Sequence, residues 1–294
     1  MITNINFGRK VIMKYGVHLF ATEDSIQPGD LAQEAESRGF ESVLFSEHTH
    51  IPVNFLQNNE SGRNLKDYYW QAYDPFIAAT VAAAATDRIK IGTGVSLILQ
   101  HDPITLAKEV ATIDQISNGR FLFGIGAGWL PDEMKNHGVA YRTRYMLIQE
   151  YVQAMKRIWS EEAPEYKGEF INFNKIKSYP KPIQSPHPPL ISGGGIGPKS
   201  LDFIARNCDG WMPIVGIPEW HQIKEGISKL VEQVDAVGRP PGSIDLSVFS
   251  WSLPDEDVTN DMEQAGIKEI VISLEAKNRE EVLPLLDEYA SLIE

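Results

Sequence analysis

Eight short apolar or β-rich segments recur along this chain, each followed by a helical pattern, and that alternation limits the fold more than any other feature. The segments are Lys14–Phe20, Ser42–Ser46, Ile89–Leu99, Arg120–Gly126, Leu190–Ile191, Asp209–Ile214, Ile244–Ser250 and Glu269–Leu274. Val43, Leu44 and Phe45 form the continuous apolar run of a strand covered on both faces, which is the signature of a parallel sheet. The intervening helices carry stop and start signals. Pro28–Arg38 ends at Gly39, and Pro103–Ile116 ends at Asn118-Gly119. An open doubly wound sheet needs no closing eighth unit, so the count predicts a single (β/α)8 TIM barrel over 13–294, with 1–12 as an N-terminal extension. The start is expected at either Met1 or Met13, the latter standing immediately before the first strand pattern.

Two long segments interrupt the alternation. The polar stretch 54–66, containing Gly62, reads as a loop, and 165–189 holds Pro180, Pro182, Pro186, Pro188 and Pro189, which exclude a long helix or a central strand. A small hairpin is expected around Phe170–Phe173. Long loops in a compact barrel commonly serve as lids or binding loops. The helix opened by Asp74 and Pro75 is apolar nearly all round from Phe76 to Ala85, so it needs cover on more than one side. Either a second subunit or a long loop of the same chain supplies it. A homodimer through this helix and Ile104–Ile116 is the expectation.

Charge and composition narrow the partners. The 294 residues carry a net charge of −13, which disfavours nucleic acid and anionic membrane surfaces and points to a small-molecule substrate. The longest mostly apolar run, around Phe76–Ala85, is far short of the roughly twenty residues that span a bilayer. Residues 1–12 lack the apolar core of a secretion signal. Cys208 is the only cysteine, so no intramolecular disulfide can form, and a cytoplasmic location is expected.

Two stretches carry candidate chemistry. The second strand runs directly into Ser46, Glu47, His48, Thr49 and His50, at the carboxyl end where parallel α/β folds bind ligands. His48 beside Glu47 is either a structural hydrogen-bonded pair or a proton-handling group, and the spacing from His48 to His50 leaves a metal-dependent hydrolase open. The other histidines show no second paired spacing, so no metal is assigned. Ser192-Gly-Gly-Gly-Ile-Gly-Pro198 follows the fifth strand and opens a helix. It is either an anion cradle, with backbone amides and a helix N-terminus facing a phosphate, or a plain turn. Gly92 and Gly94 inside the third strand mark a bulge or a close approach.

Four motifs taken in order resemble the luciferase-like monooxygenase superfamily, and more narrowly its coenzyme F420-dependent oxidoreductase branch. They are Phe-Ser-Glu-His-Thr-His-Ile-Pro at 45–52, Ile-Gly-Thr-Gly-Val at 91–95, Ser-Asn-Gly-Arg-Phe-Leu-Phe-Gly-Ile-Gly-Ala-Gly-Trp at 117–129 and Ser-Gly-Gly-Gly at 192–195. The resemblance covers most of 13–293. It implies a luciferase-like barrel with long loop insertions at its carboxyl-end face, holding coenzyme F420, the favoured cofactor, or FMN. It implies His48 and Glu47 as catalytic residues beside the ring. Thr93, Gly94, Val95, Gly126, Ala127, Gly128 and Trp129 would line the cofactor site, and Ser192, Gly193, Gly194 and Gly195 would hold its phosphate. It further implies a non-proline cis bond at Gly94–Val95. The activity implied is hydride transfer between coenzyme F420 and a small organic substrate. The alternatives are an FMN-dependent monooxygenase using molecular oxygen and a non-catalytic flavin-binding relative.

Overall fold

The computed structural model describes residues 13–58 and 65–293. The expected extension 1–12 and the part of the polar loop at 59–64, Gly62 included, lie outside the described residues. The parallel strands are β1 (Lys14–Leu19), β2 (Ser42–Phe45), β3 (Lys90–Leu97), β4 (Phe121–Gly126), β5 (Leu190–Ser192), β6 (Gly210–Trp211), β7 (Asp245–Ser250) and β8 (Glu269–Ser273). They pair in sequence order and close into a barrel, with Lys14 to His18 of β1 in register with Glu269 to Ser273 of β8. All four residues of β2 are buried, as its unbroken apolar run requires.

Several details depart from the sequence pattern. Residues Val53–Asn58 form a short helix where a loop was expected, and its Phe55 packs edge-on against Trp129 with ring centroids 5.9 Å apart. The sixth strand is shorter than Asp209–Ile214, because Pro213 has no amide to donate; Ile214 rejoins the sheet as an isolated bridge to Phe249. Glycines between β3 and β4 serve close approach. A Cβ on Gly124 would lie 1.9 Å from the Thr93 carbonyl oxygen, beside a register shift between Thr93 and Ser96. The Gly94–Val95 peptide in that irregularity is cis.

The long excursion is pinned by two carboxylates. Asp114, fully buried in helix Pro103–Ile116, accepts from the Ile183 and Gln184 amides at 2.7 and 2.9 Å. Glu150 of helix Arg144–Ser160 accepts from the amides of Glu169, Phe170 and Ile171 and so holds the turn of the small antiparallel hairpin Tyr166–Lys167 with Asn172–Phe173. Arg120 staples the amino-terminal end of the barrel. Its guanidinium donates to the carbonyls of Ala83, Thr86 and Ile89, at 2.7 to 2.8 Å, so the Ser-Asn-Gly-Arg part of its motif has a structural use. Asn118 and Gly119 make the preceding turn with φ of 55° and 78°.

The helix Pro75–Ala84 has the expected cap, Asp74 accepting from the Phe76 and Ile77 amides at 2.9 Å. It buries Phe76, Ala78, Ala79, Ala82 and Ala83, but Ile77 and Val81, one turn apart, are 68% and 48% exposed. Trp159 is core, its indole N–H donating to the Ala107 carbonyl.

Candidate active site

Beyond β2 the chain turns three polar side chains in three directions. The Ser46 hydroxyl donates to the Gly94 carbonyl at 2.7 Å, satisfying the oxygen of the cis peptide. Since that hydroxyl proton is committed, the 2.7 Å contact from His18 Nε2 to Ser46 Oγ has the imidazole as donor. His18 Nδ1 then accepts from Ser273 Oγ, 3.2 Å away. The fully buried His18 is therefore neutral, and burial pulls its pKa down to about 3.

Glu47 faces the barrel wall. Its Oε2 accepts from Ser96 Oγ at 2.7 Å and the Leu97 amide at 2.6 Å, and Oε1 lies 2.6 Å from His101 Nε2. Burial works to lower the His101 pKa, but the hydrogen bond and charge of Glu47, with Glu109 and Asp74 beyond, more than offset it and raise the imidazole above its ordinary value. Glu47 thus ties the end of β2 to the end of β3. Both of its oxygens are taken.

His48 is the group presented to the cavity. Both oxygens of Glu133, at 2.9 and 3.0 Å, accept from Nδ1, and the Trp129 indole N–H is 3.3 Å from Nε2. A carboxylate on Nδ1 and a donor on Nε2 define the neutral Nδ1–H tautomer, with the Nε2 lone pair accepting from the Trp129 N–H. Glu133 is 1% exposed and sits on a short helix, Pro131–Asn136, absent from the sequence reading. Its start was signalled by a proline at the first position followed by Asp132 and Glu133, the acidic first turn a helix dipole favours.

His50 goes elsewhere. Its Nε2 meets Asn136, and its Nδ1 shares the Thr49 hydroxyl with His137, so His48 and His50 do not converge on a common point. Among the described residues no group of three or more His, Cys, Asp or Glu is placed to hold a metal.

The cavity holds about 120 Å³ and lies at the carboxyl end of the strands. Of the sequence candidates it gathers Glu47, His48, Gly94, Val95, Trp129 and Gly193. Thr93, Gly126, Ala127, Gly128, Ser192, Gly194 and Gly195 lie outside that lining. Thr93 spends its hydroxyl on the Gly124 carbonyl, 2.6 Å away. The lining also holds Phe20, Tyr69, Met212, Ile214, Phe249 and Trp251, single aromatic and apolar residues that no motif singled out.

The glycine loop follows β5, as its place in the sequence implied. The Gly193 amide is not available to an anion, because it extends the sheet to the Ile125 carbonyl, and the Gly194 amide donates to Ser192 Oγ. Past them, a Cβ on Gly195 or Gly197 would meet nothing within 4 Å. The helix Pro198–Asn207 opens without a side-chain cap, and the buried Ser200 hydroxyl in its first turn has no hydrogen-bond partner among the described residues. That orphaned donor beside open space fits an anion better than a plain turn does.

Comparison with known proteins places this arrangement in a family. The model described as luciferase-like monooxygenase matches residues 19–288, and the chain belongs to that family. It is 34% identical over 284 residues, 95% of this chain and 98% of the relative, to an uncharacterized protein of Mycobacterium tuberculosis (strain ATCC 25618 / H37Rv). It is 29% identical over 250 residues to the F420-dependent glucose-6-phosphate dehydrogenase of Kineococcus radiotolerans, covering 83% of this chain and 69% of that one. Similarity to the FMNH(2)-dependent dimethylsulfone monooxygenase of Pseudomonas putida, 30% over 184 residues, covers 61% of this chain and 46% of the relative. The fold matches an F420-dependent secondary alcohol dehydrogenase in complex with an F420-acetone adduct at a TM-score of 0.76, with 19% identity over 96% of this chain and 98% of that one. Members of the family are oxidoreductases and monooxygenases that include both F420-dependent and FMNH(2)-dependent enzymes.

His18 sets a pH dependence of stability. Its pKa in the folded chain, about 3, lies below the ordinary 6.5, so the unfolded chain binds the extra proton and stability is lost as pH falls from about 6.5 towards 3. The slope contributed is at most about 1.4 kcal/mol per pH unit. Urea unfolding at pH 7 and pH 5 should show a smaller difference for His18→Gln than for the unsubstituted protein; equal differences would remove His18 from the account.

Proposed function

We propose that this chain is a coenzyme F420-dependent oxidoreductase that moves hydride between the cofactor and a small organic substrate. The observation that carries the reading is His48, fixed by Glu133 with Nε2 at the cavity wall, where a substrate hydroxyl would take the place that the Trp129 N–H now holds on its lone pair. The F420-dependent relative is matched over more of both chains than the FMNH(2)-dependent one, which favours F420 over FMN. Coenzyme F420, when bound, would supply the hydride acceptor for the substrate carbon. His48 Nε2 receives the hydroxyl proton as the carbonyl forms, and Glu133 balances the resulting imidazolium. Glu47 acts as a positioning residue through Ser96, Leu97 and His101. Thr93 acts through the sheet.

Ser200 and the Gly195 to Gly197 stretch would hold the phosphate, with the helix N-terminus behind them. The ring would lie against Val95 and Gly193, where a Cβ on Gly193 would come within 2.8 Å of Val95. The cavity of about 120 Å³ is below the roughly 300–1,000 Å³ that encloses drug-sized ligands. Holding a ring would therefore require this cavity to widen, and Tyr69, its ring centroid 5.3 Å from that of His48, is one of the walls.

Titration of the protein with F420 and with FMN, followed by fluorescence, tests the cofactor. F420 is expected to bind the more tightly; saturable binding of neither would leave a non-catalytic chain or a different ligand. His48→Ala should keep F420 affinity while F420 reduction by alcohols falls by about 10²-fold. Unchanged turnover would remove His48 from the chemistry.

The phosphate position is tested at Gly195 rather than Gly194, because a Cβ on Gly194 would lie 2.3 Å from Ser200 Oγ and disturb the loop itself. Gly195→Val should weaken binding of F420 by about tenfold or more and leave its dephosphorylated analogue little affected. Equal weakening of both would place the phosphate elsewhere.

We further propose a cytoplasmic homodimer, built on the exposed Ile77 and Val81 of helix Pro75–Ala84 together with helix Pro103–Ile116. Light scattering at micromolar concentration should report a dimer, and Val81→Lys should shift it to monomer. A monomer for the unsubstituted chain is the contrary result.

A further inference from the structure

The part of the His-Thr-His motif that does not reach the cavity still bears on the part that does. Past His48 the chain presents the Thr49 hydroxyl to three other side chains. It donates to Gln100 Oε1 at 3.0 Å, and it lies 2.9 Å from His50 Nδ1 and 2.8 Å from His137 Nε2. A hydroxyl has one proton and two lone pairs, so with the proton given to Gln100 both imidazoles are donors. His50 Nε2 is then an acceptor, and the Asn136 amide donates to it at 2.8 Å. Gln100 Nε2 is buried without a partner among the described residues. Turning that amide over would make Nε2 the donor to Thr49 and pass the hydroxyl proton to one imidazole. In both orientations a single oxygen joins the three groups.

These groups come from three successive barrel loops. Thr49 and His50 follow β2, Gln100 ends the short 3-10 helix Ile98–Gln100 after β3, and Asn136 and His137 close the helix Pro131–Asn136 after β4. That last helix carries Glu133, four residues before His137 and so on the same face. Six residues without a side-chain cap do not make a stable helix alone, and its place is set by what it touches. Leu130 and Met134, again four residues apart, bury one stripe of it in the core. One stripe fixes the depth of a helix but not its roll about its own axis. The contacts of Asn136 and His137 fix the roll, and with it the direction of Glu133. Without them the roll is restrained only by Glu133's own bonds to His48, which water can replace once the carboxylate turns outward.

We infer that Thr49 and His137, braced by His50, are positioning residues that hold Glu133 on His48 Nδ1 by fixing the roll of helix Pro131–Asn136. Their effect on turnover rests on the reading of His48 as proton acceptor, whereas their effect on the His48 ring does not. The Trp129 N–H on Nε2, at 3.3 Å, is a longer and weaker hold on that ring than the Glu133 oxygens at 2.9 and 3.0 Å. Burial, and then His50 and His101, keep the His137 pKa below its ordinary value against the opposite pull of Glu133 and Glu47. His137 is therefore uncharged near neutral pH and has no charge with which to draw Glu133, one turn away, off His48.

The test reads the His48 ring directly. In the isotopically labelled full chain near neutral pH and without cofactor, proton–nitrogen NMR correlations tell which ring nitrogen of His48 carries the proton, with His48→Gln to assign its signals. The unsubstituted chain should show the Nδ1–H form alone. Thr49→Val, at an exposed residue, and His137→Phe should each bring in the Nε2–H form to at least about a tenth of the population. His137→Gln, whose amide can meet Thr49 as donor or acceptor, should restore the Nδ1–H form. Lys135→Ala, at an exposed position of the same helix, should leave it unchanged. F420 reduction by alcohols should fall about tenfold in Thr49→Val and His137→Phe.

An unchanged His48 ring in either of those two variants overturns the inference and leaves Leu130 and Met134 as sufficient anchors; should one of the two fail to fold, the other decides. A His137→Gln variant that behaves like His137→Phe overturns it as well, as does a Lys135→Ala variant that alters the ring, or an Nε2–H form already present in the unsubstituted chain. An altered ring with unchanged turnover sustains the positioning role and removes His48 from the chemistry. A chain that reduces no F420 still decides the inference through the ring.

Discussion

Closure of the parallel barrel between β1 and β8 is the constraint on which everything else rests. A parallel strand left at an edge has a row of unpaired amides and carbonyls, and pairing Lys14 to His18 with Glu269 to Ser273 removes both edges at once. Closure also brings eight carboxyl-end loops into one ring. Ser46, Gly94, Trp129, Gly193, Met212 and Trp251 come from distant parts of the chain and meet in one cavity for that reason.

Within that ring the polar groups are arranged so that each buried charge has its partners. Glu47 is consumed by a hydroxyl, an amide and an imidazole, while Glu133 is reserved for His48. The division explains how two adjacent residues, Glu47 and His48, come to have different uses. One holds the scaffold and the other faces the cavity. His18, Ser46 and the Gly94 carbonyl form a third chain of hydrogen bonds beneath them, and because each member has a partner, a polar core is tolerated inside an otherwise apolar barrel.

Legibility followed the range of the interaction. The strand count, the Asp74 and Pro75 helix start, and the glycine loop after the fifth strand were readable because each is written in consecutive residues. The helix Pro131–Asn136 was readable too, from Pro131, Asp132 and Glu133, but it fell between two stronger patterns. Phe20, Tyr69, Phe249 and Trp251 carried no local signal at all. A single aromatic after a strand looks the same whether it joins the core or walls a cavity. The Gly193 amide also looked free in the sequence, and only the β4 to β5 ladder shows that Ile125 claims it.

The sequence by itself determined the barrel, the end of it at which the candidate site lies, and the placement of His48 at a strand terminus, because alternation, apolar runs and turn residues act over a few positions. The tertiary structure decided which partner His48 has, since Glu133 is 85 residues away, and hence which nitrogen carries the proton. It also decided that His48 and His50 part, that Glu47 is spent on the wall, and that no described lysine or arginine enters the cavity. Those outcomes depend on where loops from separate strands meet in three dimensions, and contacts of that range leave no period in the chain.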